Sequence, residues 1–254
     1  MSLPVTPSFR LDGRRALVTG AGRGIGMGAA VALARAGAHV TLAARSAEAL
    51  EELAAALREE GCTADALALD VTDVEAARRA ILERGPFRVL VNNAGTNRPG
   101  PMLETAPEDF DAVMDLNVRA AYFVARAVLG GMIEAGEGGS IVNVSSQMGL
   151  VGGIDRTLYC ASKFAVEGMT RAMAVEAGRH GVRVNTVCPT FVKTPMTEST
   201  FADPERAAWI ESKIELGRVA EIEDLMGPVL FLASDASAMV TGSSLVVDGG
   251  WTAS

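Results

Sequence analysis

The sequence predicts an α/β fold: one doubly wound parallel sheet with helices on both of its faces. Three observations predict it. Short apolar runs alternate along the chain with longer amphipathic ones, the pattern of repeated βαβ units. The first strand-to-helix junction, Gly20-Ala-Gly-Arg-Gly-Ile-Gly26, is a glycine-rich turn where such a sheet binds phosphate. Of the 254 residues, 49% are hydrophobic, enough to bury one full core, so residues 1–254 are expected to form a single domain.

Arg15–Thr19 is the first strand, and the glycine turn leads into an alanine-rich helix that Gly37 caps. His39–Ala43 is the second strand. Ser46 is a natural N-cap for a helix to about Glu60. Ala66–Leu69, Val74–Leu82 and Arg88–Val91 follow as strand, helix and strand. A long helix, bent along its length, is expected from Pro107 through Leu129, and Ser140–Val144 is the fifth strand. A helix carrying Tyr159 runs to about Gly178, before a strand at Val182–Val187. From 191 to about 216 the pattern loosens into a polar, proline-containing insertion with an amphipathic piece around Trp209. A helix at Glu223–Leu232 and a strand at Ser244–Val247 close the chain.

The formal net charge of −8 disfavours nucleic acid and anionic membranes as partners and leaves small molecules. No basic segment followed by an apolar core opens the chain, and no uncharged apolar run reaches the roughly 20 residues of a membrane span. Cys62, Cys160 and Cys188 form no CxxC pair, so neither disulfides nor zinc are expected. His39 and His180 lack ligand neighbours, and no metal centre is expected. A cytoplasmic location fits these features.

In the glycine turn, Gly20 permits the tight bend, Gly22 and Gly24 let the backbone approach a pyrophosphate, and Gly26 allows helix to pack on strand. Tyr159 and Lys163 stand four residues apart, one turn along a single helix face. A phenol has an ordinary pKa of about 10. A nearby ammonium favours the phenolate, so Lys163 is expected to lower the Tyr159 pKa and make it a usable acid and base.

The spacing Thr19-Gly-x-x-x-Gly24-x-Gly26 resembles the short-chain dehydrogenase/reductase family, and the resemblance continues through nearly the whole chain. Asn92-Asn93-Ala94-Gly95, Leu69-Asp70-Val71, Leu116-Asn117-Val118, Ile141–Ser146 and Val247-Asp248-Gly249-Gly250 match further family segments in order. The resemblance implies a Rossmann-type fold and a catalytic tetrad of Asn117, Ser146, Tyr159 and Lys163. It chooses Ser146, thirteen residues before Tyr159, over Ser145, which is expected to pair with backbone. It also implies a cofactor site from Gly20, Gly22, Arg23, Gly24, Ile25 and Gly26, from Asp70 and Val71 and from Asn93, Ala94 and Gly95. Tyr159 and Lys163 contribute to that site, as do Pro189, Val192 and Thr194 in a covering segment. Thr190 stands where the family commonly has glycine, which narrows the pocket.

The implied chemistry is hydride transfer between a nicotinamide and a carbonyl or secondary alcohol, with Tyr159 exchanging the proton, Ser146 bonding the same oxygen and Asn117 anchoring a water beside Lys163. The second strand ends Ala43-Ala44-Arg45-Ser46, where an NAD-selective site carries a carboxylate. The missing acid, with Arg45, Ser46 and Arg23 at hand, predicts NADP(H) over NAD(H). Apolar helix faces at Val113–Leu129 and Phe164–Val175, together with family habit, predict a homotetramer in which Trp251 lies near an interface.

The substrate stays open among an acyl-thioester β-ketone, a sugar or polyol, and a cyclic alcohol. Gln147, Met148, Val151, Ile154, Phe191, Met196 and Trp209 are candidates for its pocket, and Arg98 and Arg156 flank it. A non-catalytic dinucleotide-binding module is the alternative from another class, and it has no use for Ser146, Tyr159 and Lys163 together. An epimerase or dehydratase on the extended form of the fold usually needs a longer chain.

Overall fold

In the computed structural model, which describes residues 1–253, seven strands form one sheet. They are β1 (Arg15–Thr19), β2 (His39–Ala44), β3 (Thr63–Ala68), β4 (Val89–Asn92), β5 (Gly139–Val144), β6 (Val182–Pro189) and β7 (Ser244–Val247). They lie in the order β3-β2-β1-β4-β5-β6-β7, and every neighbouring pair is parallel. The order reverses between β1 and β4, and a crevice opens at the strand ends beside such a reversal.

Alternation along the inner strands feeds two cores. Ala16 and Val18 of β1 face one side with α1 (Gly24–Arg35), α2 (Ala47–Glu59) and α9 (Glu223–Ala233). Leu17 faces the other side with α3 (Val74–Arg84), α5 (Ala121–Ala135) and α6 (Thr157–Ala177). Both faces are covered, which is why these strands read as unbroken apolar runs.

Two boundaries differ from the expected ones for physical reasons. The third strand begins at Thr63, three residues early, because it is an edge strand whose polar positions face out and Asp65 pairs with His39 across β2. The helix expected to end at Leu129 continues through Gly130 and Gly131 to Ala135, because Met132 is fully buried and Gly136, at φ 69°, supplies the left-handed cap. The bend expected in that helix is a π-helical turn, Asp115–Ala120, between α4 (Pro107–Met114) and α5. The helical stretch 107–135 is long enough to cross a membrane and holds an 18-residue part apolar enough to do so, and it packs with Val113, Val124, Val128 and Met132 buried.

The insertion folds as two short helices, α7 (Glu198–Phe201) and α8 (Pro204–Ser212), over a satellite core of Ile210, Ile214 and Val219. Trp251 packs there within its own chain, 5.8 Å from the Phe191 ring and 5.7 Å from Trp209.

Candidate active site

The ends of β1, β4, β5 and β6 meet at a cleft lined by Ser146, Tyr159 and Lys163 and covered by the segment from Pro189 to Thr200. A buried polar chain fixes its floor. The Thr19 hydroxyl accepts from the backbone N–H groups of Asn93 (2.9 Å) and Ala94 (3.1 Å). Asn92, opposite Asn143 in the sheet register, bonds it, and Asn143 donates to Thr170 of α6. The Asn93 side chain donates to the carbonyls of Thr19 and Gly20, tying the end of β4 to the glycine turn.

Gly20 has φ 64°, and a Cβ there would press on Asn93. At Gly26 a Cβ would strike the Gly20 carbonyl and the Asn93 amide, so only glycine lets α1 pack down on its own turn. Gly24 lies against Thr194 of the covering segment, Ile25 lines the cleft, and a Cβ at Gly22 would meet protein only at 3.8 Å or beyond. No side chain caps α1. Its first N–H groups, at the positive end of the helix dipole, are therefore free to hold an anion. These features fit a dinucleotide pyrophosphate.

Arg23 and Arg45 are both exposed beside that turn. The Ser46 hydroxyl accepts from Ala49 N–H at 3.4 Å, which leaves its proton to donate. Asp70 is held below the usual carboxylate range, chiefly by its bonds from the Thr72 hydroxyl and N–H, with the Arg45 charge adding to this. Val71 is buried beneath it. Val192 pairs with Ala220, Thr194 is held by Thr197, and Pro189 ends β6 at the cleft wall.

Ser146 caps a short turn, its Oγ accepting from Met148 N–H at 3.1 Å, so its proton is free to donate into the cleft. Ser146 and Tyr159 both line the cleft. The expected effect of Lys163 on Tyr159 does not appear. Burial pushes the Tyr159 phenol up to about 12, against a smaller lowering by Ser146. The helical spacing brings Lys163 alongside the ring, but its ammonium donates to the Val144 carbonyl at 2.9 Å. Burial lowers Lys163 itself to about 8.

Asn117 sits in the π-helical turn, buried, with its amide spent on protein. It accepts from Thr96 N–H at 2.8 Å, donates to the Thr96 carbonyl at 2.9 Å and donates to Ser162 Oγ at 3.0 Å. Ser162 in turn donates to the Tyr159 carbonyl. The sequence reading missed Ser162, although it lies three residues from Tyr159 and so on a neighbouring helix face.

Of the candidate pocket residues, Gln147, Met148, Phe191 and Met196 line the cleft, whereas Val151, Ile154 and Trp209 do not. Ser145 pairs with the backbone at the strand end, its N–H donating to the Val187 carbonyl at 2.9 Å. Arg98 is exposed and pairs with Asp109 at 3.4 Å, while Arg156 lines the cleft and is 4% exposed. Burial pushes the Cys188 thiol up to about 12, which removes it as a nucleophile near neutrality.

Comparison with known proteins gives concordant matches. A family model described as enoyl-(acyl carrier protein) reductase matches residues 20–252. D-erythrulose reductase of Gallus gallus is 45% identical over 98% of this chain and 99% of its own. Gluconate 5-dehydrogenase of Gluconobacter oxydans (strain 621H) is 42% identical over 97% of this chain and 97% of its own. The crystal structure of a gluconate 5-dehydrogenase from Burkholderia cenocepacia J2315 in complex with NADP and tartrate superposes with a TM-score of 0.94. It is 38% identical and covers 97% of this chain and 98% of that one.

Proposed function

We propose, on the premise that the chain belongs to the short-chain dehydrogenase/reductase family and is an NAD(P)-dependent oxidoreductase acting on an alcohol or carbonyl, that its substrate is a sugar ketone and the corresponding polyol. One observation carries this. Three residues that line the cleft, Asn97, Gln147 and Thr190, each carry a buried side-chain oxygen with no hydrogen-bond partner among the described residues. Buried polar groups are rarely left unpaired, and a substrate dense in hydroxyls pairs them. An acyl thioester does not. The sugar reductases and dehydrogenases among the relatives support the same reading.

A bound nicotinamide supplies the hydride when the ketone is reduced. The residues of the cleft do the rest. Tyr159 donates the proton to the carbonyl oxygen, and Ser146 bonds that oxygen as negative charge grows on it. Lys163 and Tyr159 would hold the ribose of that cofactor. Asn117 fixes the loop that ends in Thr96 against α6 and, through Ser162, the backbone of Tyr159. The insertion at about 191–216 closes over the substrate, since Met196, Thr197 and Thr200 already line the cleft.

NADP(H) is the preferred cofactor in this proposal. Ala44 stands where a discriminating carboxylate would stand, Arg45 follows it immediately, and neither Arg45 nor Arg23 is in an ion pair among the described residues. The molecule is a cytoplasmic homotetramer in this reading. Exposed Tyr122, Phe164 and Val175 on the outer faces of α5 and α6 support the assembly.

The test is NADPH oxidation with D-erythrulose, L-xylulose and 5-keto-D-gluconate against an acetoacetyl thioester. Turnover of at least one sugar ketone, with none of the thioester, is expected. Thioester reduction as the faster reaction refutes the substrate class.

A further inference from the structure

Arg156 is buried without a counter-ion. It is 4% exposed, and its one side-chain hydrogen bond among the described residues runs from Nη1 to the carbonyl of its own neighbour, Asp155, at 3.0 Å. Among the described residues no carboxylate lies within ion-pair distance of it. An arginine is almost never fully buried unless paired.

Its position makes the lack of a partner more telling. Arg156 is the N-cap residue of α6, at the positive end of that helix dipole, where a further cation is disfavoured and an anion is welcome. The backbone is constrained to place it there. Asp155 has φ 56°, in the left-handed region that a non-glycine residue seldom adopts. The same Asp155 carbonyl also accepts from Gly100 N–H at 3.1 Å, pinning this corner to the loop after β4. The charge of Arg206 on α8 adds to burial in disfavouring the charged form of Arg156, with the neighbouring Asp155 carboxylate acting the other way, and Arg206 is in no ion pair among the described residues. A buried guanidinium with no ion-pair partner, at the positive end of a helix, favours an anion in the space before it.

That space belongs to the cleft that holds Ser146 and Tyr159, and Arg156 sits three residues before Tyr159, about one helical turn away. We infer that the substrate carries a carboxylate seated on the Arg156 guanidinium, with Arg206 drawing it in, which makes the substrate a polyhydroxy acid rather than a neutral sugar. The inference rests on the sugar-ketone reading above and narrows it. The forked guanidinium matches a carboxylate with two parallel bonds, and a phosphate ester offers the same chemistry.

The experiment compares four- to six-carbon aldonates, alditols of the same configurations and alditol phosphates as substrates for oxidation with NADP⁺. The parent enzyme is expected to favour an aldonate by about tenfold or more in kcat/KM, the worth of a charge-assisted bond. Arg156→Met is expected to lose about tenfold to a hundredfold on the aldonate, mostly through KM, with little change on the alditol. Arg156→Lys should recover part of the loss, and NADPH binding reports that each variant is folded. Equal kcat/KM for aldonate and alditol in the parent enzyme overturns the inference and leaves the sugar-ketone reading standing. A preference for the phosphate overturns the carboxylate. Equal losses on both substrates in Arg156→Met make the arginine structural and also overturn it. Failure of all three classes, with the thioester reduced, removes the sugar-ketone reading itself.

Discussion

The Lys163 ammonium is bonded to the Val144 carbonyl at the end of β5, and the Tyr159 ring stands beside it with its centre 5.5 Å away. The helix that carries both residues is thereby fastened to the sheet by the cation itself, and the cation is buried to make that bond.

This burial has a sign that stability measurements can read. The folded protein releases the Lys163 proton near pH 8, the unfolded chain near the ordinary 10.5. Below pH 8 both states are charged and the folded state bears the whole cost of the buried charge. Between 8 and 10.5 the unfolded chain holds the extra proton, so stability rises with pH, and above 10.5 the cost is gone. A gap of this size corresponds to about 3 kcal/mol at pH 7. Lys163→Met is expected to lose turnover yet raise stability at pH 7 by up to about 3 kcal/mol, less about 1 kcal/mol for the lost hydrogen bond. The gain should vanish at pH 11. Urea unfolding at both pH values checks this, and a variant less stable than the parent at pH 7 refutes it.

Tyr159→Phe removes only the phenolic hydroxyl. A loss of at least about 10²-fold in kcat is expected, with NADPH affinity changed little. Because burial holds the phenol high, oxidation of the alcohol, which needs the phenolate, should speed up as pH rises from 7 to 10, while reduction of the ketone should not. Steady-state rates in both directions across that range decide the assignment. An oxidation rate that is flat with pH counts against Tyr159 as the base.

The 2′-phosphate proposal turns on Ala44 and Arg45. Ala44→Asp with Arg45→Ala should shift the ratio of kcat/KM for NADP⁺ over NAD⁺ by about tenfold or more, the worth of one charge-assisted bond. A parent enzyme that already prefers NAD⁺, or a ratio unmoved by the double change, places the 2′-phosphate elsewhere.

For the assembly, Phe164→Glu with Val175→Glu puts two charges on the outer face of α6, where Val175 is 83% exposed in the isolated chain. The parent is expected to scatter light as a tetramer at micromolar concentration and the double variant as a smaller species with its NADPH binding retained. A monomeric parent ends the proposal.

What the sequence revealed was what depends on neighbours along the chain. The glycine turn and the Tyr159–Lys163 spacing are local patterns, and the structure puts both at the cleft. Depth is not local. Whether Tyr159 is acidified by Lys163 or held high by burial, and whether Arg156 is a solvated loop charge or a buried one, depends on segments far away in the chain. Thr96, Asn97 and the segment 191–200 line one cleft with both residues. Ser162 escaped notice for a related reason, since its importance comes from Asn117, 45 residues before it. The bend of the long helix was visible, but its form was not, because a π-helical turn leaves no mark in the period of apolar residues.

That turn makes the helix one residue longer than its path requires. The faces of α4 and α5 are each docked on their own neighbours, so the surplus residue is looped out between two segments that already fit. Removing it would let the two segments join as an ordinary helix with the packing of both preserved. What the extra residue in 115–120 accompanies is Asn117, whose amide ties Thr96 to Ser162. Those six residues could be mended into a better helix at the expense of the loop they hold.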